Sequence, residues 1–156
     1  MSDEPRDLEL SRLLRAPRAK VWRAWSDPIL LAQWWCPKPW KTEVKAFEFR
    51  NGGAFHTYMT GPEGGVSDNP GCFLDVTPMS RIVSTSMLTG GWRPHSPWLA
   101  MTAIFTLADE DGGTRFIARA MHTSQADSDK HREMGFEHGW GIMIAQLEQA
   151  AMALGG

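Results

Sequence analysis

Hydrophobic residues first alternate with polar ones and then take a helical spacing, so the chain begins with a strand and continues in helices. Leu8, Leu10 and Leu14 lie at even spacing in a polar stretch, which predicts a first β-strand. Two segments opened by prolines follow, the first at Pro17 and the second at Asp27-Pro28, where Asp is the N-cap and Pro the first helical residue. The pattern therefore predicts two short helices directly after the first strand.

Between Trp40 and His122 the apolar residues recur with a period of two, which is typical of β-structure. Turn signals rich in Gly, Asn and Asp lie at 51–53, 61–65 and 109–113. The strands predicted from this pattern are 44–50, 54–60, 71–77, 81–88, 99–107 and 114–122. Because strand follows strand through short turns, we expect an antiparallel sheet of seven strands, counting the first.

The period returns to 3.6 residues in the C-terminal segment, where one apolar stripe predicts a single helix over 124–154. The helix starts with Ser124-x-x-Asp127, a capping box in which Asp replaces the usual Glu. At 1.5 Å per residue it would be about 45 Å long. Gly135, Gly139 and Gly141 oppose it, since each costs about 1 kcal/mol against alanine in a helix interior. These glycines leave two alternatives, a bent or frayed first half, or a close approach of the backbone to the sheet or a ligand.

One strand, two short helices, six strands and one long helix make an α+β pattern. A twisted antiparallel sheet has one concave face and an amphipathic helix one apolar stripe, so we expect the sheet to wrap around the helix and leave a cavity between them. No linker, repeat or low-complexity segment divides the chain. Residues 1–156 are therefore predicted to form a single domain.

Composition and charge exclude several classes of function. The net charge is −2 and no basic run occurs, which argues against a nucleic-acid partner. No apolar stretch approaches the length of a membrane span, and the acidic N-terminus is unlike a secretory signal. Cys36 and Cys72 lack the spacing of a metal or redox motif, so we expect two reduced thiols in a cytoplasmic protein.

Motifs along nearly the whole chain stand in an order and spacing seen in a known family. They are Ala16-Pro17-Arg18, Val21-Trp22-x-Ala24-Trp25-x-Asp27-Pro28, Leu31-x-Gln33-Trp34-Trp35, Phe47-Glu48-Phe49-Arg50-x-Gly52-Gly53, Gly71-x-Phe73-Leu74-x-Val76-x-Pro78 and Gly139-Trp140. This set resembles the heat-shock-protein-90 ATPase activator-like family of the START-like, or SRPBCC, superfamily. The resemblance implies a helix-grip fold, in which a curved sheet surrounds a long C-terminal helix.

The sequence departs from that family at three places. Cys36 stands where many relatives carry Gly, and Ser84 and Ser86 stand near positions where relatives tend to carry aromatic residues. The Pro-rich segment 91–98 is unlike the usual short connection. A relative's ligand therefore does not transfer to this chain. Eukaryotic activators also carry a separate N-terminal domain that contacts the chaperone, so chaperone activation is the weaker expectation.

The polar residues form no familiar catalytic motif, and we expect no catalytic residue, metal ion or cofactor. His131 and His138 would lie about 10.5 Å apart along a helix, too far to share a zinc ion, and are expected on a solvated helix face. His122 shares a strand face with apolar residues. It is either a hydrogen-bonded structural histidine or, if that face is concave, a base in the cavity.

The candidate ligand-binding residues are mainly large apolar side chains that could converge between the sheet and the C-terminal helix, where methionine suits an adaptable pocket. They are Phe47, Phe55, Tyr58, Met59, Phe73, Met87, Phe105, His122, Trp140, Met143 and Ile144. A filled core requires the same residue types, so the sequence leaves an open cavity and a filled core as alternatives.

Three functions follow as hypotheses. The first is binding of a small apolar or amphipathic molecule in the cavity. The alternatives are a chaperone-interaction module, and a cyclase- or hydrolase-type enzyme that would need His122, Tyr58 or Glu48 inside the cavity. Eight tryptophans are many for one small core, so exposure of Trp22, Trp92 or Trp98 would mark a partner surface such as a homodimer interface.

Overall fold

The computed structural model describes residues 4–155, which form ten strands and four helices. The strands are β1 (Asp7–Leu14), β2 (Lys41–Phe47), β3 (Phe55–Thr60), β4 (Val66–Asn69), β5 (Cys72–Thr77), β6 (Arg81–Thr85), β7 (Leu88–Thr89), β8 (Arg93–Pro94), β9 (Met101–Glu110) and β10 (Gly113–His122). The helices are α1 (Arg18–Ser26), α2 (Pro28–Trp34), α3 (Gln125–Glu133) and α4 (Phe136–Met152).

All strand pairs in the described residues are antiparallel, as the short turns predict. Five strands pair in the order β1-β10-β9-β6-β5 and three in the order β2-β3-β4. The two groups meet at a bridge between Ala54 and Cys72. The α+β fold class is confirmed, and so is a large antiparallel sheet with a C-terminal helix on it.

The structure has ten strands and not seven because three short strands, β4, β7 and β8, were not predicted. β4, which was not predicted, precedes β5 with only Pro70-Gly71 between them, and both lie beside the 54–60 segment. Proline cannot donate a ladder hydrogen bond, and a Cβ on Gly71 would lie 3.0 Å from the Thr85 carbonyl oxygen. Pairing is interrupted there, so β4 belongs to the three-stranded group and β5 to the five-stranded group. The predicted strand 81–88 ends at Thr85, and the small β7–β8 hairpin follows.

The helix starts follow the local rules of capping. Asp27 Oδ1 accepts a hydrogen bond from the Ile29 N–H at 2.9 Å, and Pro28 begins α2. Ser124 Oγ likewise accepts from the Asp127 N–H at 3.2 Å. Pro17 is the N-cap of α1, so this helix begins at Arg18, one residue later than predicted.

The segment predicted as one helix over 124–154 forms two helices, because the chain breaks between α3 and α4. Gly135 has a φ of +94°, a left-handed conformation that glycine adopts without steric cost. Its N–H bonds to the Arg132 carbonyl oxygen at 3.0 Å, which closes the last turn of α3. The bent alternative is therefore correct for Gly135, and α4 sets off in a new direction over the sheet.

The concave face of the sheet holds the core against α1, α2 and α4. Leu147 and Ile144 of α4 are buried against the sheet, where Phe105 and Phe116 are also inaccessible to solvent. Trp25 of α1 packs on Phe105 with ring centroids 4.8 Å apart. This arrangement fills one half of the space between sheet and helix, and the other half holds the candidate site.

Candidate functional site

A pocket of about 380 Å³ lies between the sheet and the break that separates α3 from α4. Its apolar wall combines side chains from the sheet, the α2–β2 segment and α4: Trp35, Phe55, Met59, Leu99, Met101, Phe136, Trp140 and Met143. Its polar wall and rim include Thr57, Ser67, Asp68, Asn69, Ser84, Thr85, Ser86, His95 and His131. Volume and lining of this kind are typical of a site for a small organic molecule.

The pocket is open because small residues stand where large ones would otherwise meet. Gly139 faces it from α4, Gly135 from the break before α4, and Ser84 from β6. A Cβ at Gly139 would have as its nearest neighbour the Pro37 side chain at 3.8 Å, so no other group takes the space. The second alternative for these glycines, a close approach to a ligand, therefore remains a prediction for Gly139.

Two hydroxyl groups of the wall, those of Thr85 and Ser86, hold the backbone. Ser86 Oγ donates to the Leu99 carbonyl oxygen at 2.7 Å and accepts from the Met101 N–H at 3.0 Å. Thr85 Oγ1 donates to the Met101 carbonyl oxygen at 3.2 Å. These bonds tie the end of β6 to the segment before β9. The serine and threonine therefore shape the wall and are already paired.

Two histidines form a buried hydrogen-bonded pair beside the pocket. His122 Nδ1 lies 2.7 Å from the Arg6 carbonyl oxygen, and His122 Nε2 lies 2.9 Å from His131 Nδ1. Only 7% of His131 is exposed, whereas His138 is exposed to solvent. The expectation of a solvated helix face is therefore wrong for His131, because the separate helix α3 turns this residue toward β10.

Burial sets the charge state of His131. Desolvation, followed by the proximity of His122, lowers the pKa of His131 to about 4. Its ring meets Phe136 and Trp140 edge-on, with centroids 5.1 and 5.7 Å away. His131 is therefore neutral at physiological pH and lies among aromatic rings of the pocket wall.

Trp98 crosses the rim of the pocket and links two of its sides. Its Nε1 donates to Asn69 Oδ1 at 3.1 Å, at the end of β4. Lys130 of α3 donates through Nζ to the Trp98 carbonyl oxygen at 3.5 Å and lies 5.8 Å from the ring centroid. The ring is half exposed, so Trp98 borders the pocket without filling it. The unusual segment 91–98 thus ends in this rim contact.

The structure distributes the predicted ligand-binding residues over four environments. Those that line the pocket are Phe55, Met59, Trp140 and Met143. Those that pack in the filled core or its aromatic border are Phe47, Phe73, Phe105 and Ile144. His122 reaches the wall only through His131. Tyr58 lies beside Lys45, whose Nζ is 5.2 Å from the ring centroid, and Met87 is 45% exposed.

The residues considered for catalysis lie outside the pocket wall. Glu48 accepts from the Ala54 N–H at 2.9 Å and pairs with Arg50, which stabilises the turn after β2. Cys36 does line the pocket, and burial raises the pKa of its thiol. Both cysteines are free and buried. Within residues 4–155 no group of three or more His, Cys, Asp or Glu side chains could hold a metal ion.

Sequence reasoning missed Trp35, Thr57, Trp98 and His131 as wall residues. Signals for several were present in the chain. Ser84, Ser86 and segment 91–98 are the places that differ from the family pattern, and all of them contribute to the wall or rim. His131 had no such signal, because its burial depends on the helix break at Gly135.

A curved antiparallel sheet that holds a C-terminal helix on its concave face defines a helix-grip protein. Residues 15–152 match the model of the family described as Activator of Hsp90 ATPase homolog 1-like protein. The chain belongs to this family, as the motifs of its first two helices indicated. A search of the curated proteins found no match.

Solved structures of similar proteins agree with this assignment. Protein NE0264 from Nitrosomonas europaea is 42% identical, with 97% of each chain covered and a TM-score of 0.91. Protein CV1439 from Chromobacterium violaceum is 25% identical, with 92% of this chain and 95% of that chain covered and a TM-score of 0.76. A protein from Arthrobacter aurescens, 24% identical over 100% of this chain and 91% of its own, shares the fold with a TM-score of 0.84.

No helix among residues 4–155 has the length and apolar character that crossing a membrane requires.

Proposed function

We propose that this protein binds a small apolar or amphipathic molecule in the pocket between the sheet and helices α3 and α4. The observation that carries the proposal is an unfilled space of about 380 Å³ next to an otherwise tightly packed aromatic core. Trp35, Phe55 and Trp140 offer ring faces or edges to an occupant, and Met59 and Met143 offer adaptable side chains. Family membership supports the same function, since the space lies between the two elements that define the fold.

The wall chemistry supports an organic ligand with few polar groups. The hydroxyls of Thr85 and Ser86 are already bonded to the backbone, so they offer little to a strongly polar ligand. His131, which lies among the aromatic rings of the wall, is neutral because desolvation lowers its pKa to about 4. An ionic ligand would therefore find no dedicated counter-ion in the apolar part of the pocket.

Calorimetric titration with 4-butylanisole, a neutral amphipathic probe, tests the proposal. Binding with a dissociation constant between micromolar and low millimolar is expected for a probe of this size. Native mass spectrometry of the purified protein provides a second readout, a displaceable bound molecule. Absence of any heat of binding, together with absence of any bound molecule, would contradict the proposal.

A pair of variants on one strand locates the binding. Ser84→Phe places a ring in the pocket and is expected to weaken binding of 4-butylanisole at least tenfold, because it occupies the space. Val83→Phe is the matched control, since Val83 is the preceding residue of β6 and lies outside the pocket wall. Equal weakening by both variants would place the probe elsewhere.

A second candidate function, chaperone activation, rests on the family match alone. Stimulation of the chaperone's ATPase by the purified protein at micromolar concentration would support it. The exposed rings of Trp92 and Trp98 are the surface to mutate first, and light scattering tests whether the same surface forms a homodimer. The two free thiols fit a cytoplasmic location.

A further inference from the structure

The contacts of the His122–His131 pair determine which nitrogen donates in each hydrogen bond. A carbonyl oxygen only accepts, so the 2.7 Å contact with the Arg6 carbonyl requires the proton of neutral His122 to be on Nδ1. His122 Nε2 then carries a lone pair. Across the 2.9 Å contact, His131 must donate from Nδ1, which leaves the lone pair of neutral His131 on Nε2.

The second nitrogen of His131 has no hydrogen-bond partner among the described residues, and His131 lines the pocket. The rings of Phe136 and Trp140, which contact it edge-on, belong to the same wall. A hydrogen-bond acceptor therefore stands beside a flat apolar surface. Desolvation keeps this imidazole neutral, in agreement with its lowered pKa of about 4.

We propose that His131 Nε2 is a built-in hydrogen-bond acceptor of the pocket, oriented by His122 and the Arg6 carbonyl, and that it selects ligands which carry an O–H or N–H group on an apolar ring. A phenol is the simplest member of this class. The proposal rests on the proposed function, since it names the ligand chemistry of the same pocket. His122 is a positioning residue, because it acts only through His131.

The tautomer of His131 can be measured without any ligand. Long-range proton–nitrogen NMR spectra of the unliganded protein at pH 8 should show both His122 and His131 protonated at Nδ1. A proton on His131 Nε2 would overturn the proposal whether or not the pocket binds anything. This measurement uses the wild-type protein, so it does not depend on the folding of a variant.

Selection is tested with two probes that differ in one proton donor. 4-Butylphenol can donate to Nε2 and its methyl ether, 4-butylanisole, cannot. The wild-type protein should bind the phenol about tenfold more tightly than the ether. Equal affinities would overturn the acceptor while leaving the proposed function intact, and binding of neither probe would overturn both.

Variants assign the preference to His131. His131→Phe keeps a flat ring but no acceptor, and it should reduce the phenol-to-ether preference to about one while the ether still binds. His138→Phe is the control, because His138 is exposed on α4 and lies outside the wall, and it should retain the tenfold preference. A preference that survives in His131→Phe would overturn the proposal.

Discussion

The space between sheet and helix has a filled half and an open half, and the same elements build both. In the filled half, Phe105 lies within 6.3 Å of the ring centroids of four other aromatic side chains: Trp25, Trp35, Phe116 and Trp140. In the open half, Met101 of the same strand faces the pocket. β6 contributes Ile82 to the filled half and Ser84 to the open half. In the same way, α4 contributes Ile144 to the filled half and Gly139 to the open half.

The position of the cavity depends on the small residues, although large apolar side chains form most of its wall. Phe55 and Trp140 belong to both halves, since each contacts core rings and also lines the pocket. A list of large apolar residues therefore does not distinguish core from cavity. The distinction comes from Gly135, Gly139 and Ser84, which leave the opposite wall without a side chain that reaches across.

The largest expected effect tests whether the two halves differ in packing. Phe105→Ala removes a fully buried ring and should lower the free energy of unfolding by about 3–5 kcal/mol, because the surrounding rings cannot collapse into the space. Met101→Ala, on the same strand but at the pocket, should cost less than about 1.5 kcal/mol. Urea denaturation of both variants measures the difference. Equal losses would mean that the open half is as tightly packed as the filled one.

Acid should destabilise the folded protein through His131, which lines the open half. The pKa of this histidine is about 4 in the folded protein, below its ordinary value of 6.5, so folding favours the neutral form. The stability that neutral His131 contributes is complete above pH 6.5 and is lost as pH falls toward 4. Between pH 7 and pH 5 the wild-type protein should lose about 1–2 kcal/mol more than His131→Phe, which takes up no proton.

Urea denaturation at several pH values measures this loss, and the titrating groups that do not contact His131 cancel in the comparison of wild type with variant. His122, the hydrogen-bond partner of His131, is included in the measured difference. His138→Phe serves as the control, since His138 is exposed. It should follow the wild-type pH dependence. Parallel curves for wild type and His131→Phe would show that His131 accepts its proton as readily in the folded protein as in the unfolded chain.

Local rules predicted the filled half well and the open half poorly. The caps at Asp27 and Ser124 and the alternation along β9 and β10 depend on near neighbours in the chain, and the structure has them as expected. The interruption of strand pairing at Pro70-Gly71 and the break at Gly135 depend on the whole fold. At Gly135 the sequence contained the signal but no information on which alternative applied, and the strand before Pro70-Gly71 was not predicted.

His131 shows most clearly why the site was harder to predict than the fold. Seen as part of one continuous helix it shares a face with His138 and would be solvated. Once Gly135 ends α3, the two histidines belong to separate helices and His131 meets His122. Tyr58 and Met87 are the opposite case, because they were predicted to line the cavity and lie outside its wall. Alternation along a strand could not place Met87, since β6 ends at Thr85.

Gly135 and Gly139 have different roles: Gly135 allows a left-handed backbone conformation, and Gly139 leaves space in the pocket. Gly135→Ala should lower the free energy of unfolding by about 1–2 kcal/mol, because alanine is strained at a φ of +94° although nothing lies within 4 Å of its Cβ. Gly139→Ala should raise it by up to about 1 kcal/mol, since it lies inside α4 with only Pro37 nearby. Thermal or urea denaturation gives both values. The same sign for both would contradict the distinct roles of the two glycines.

The smallest effect concerns Cys36, at the border of the two halves and just beyond the C-cap of α2. Its φ of +100° is a left-handed conformation that favours glycine. Cys36→Gly should therefore be more stable than Cys36→Ala by about 1 kcal/mol, measured by urea denaturation. Cys72, buried in the extended strand β5, is the control and should show the opposite order, with Cys72→Ala the more stable variant. Alanine above glycine at both positions would show that left-handed strain at Cys36 does not limit stability.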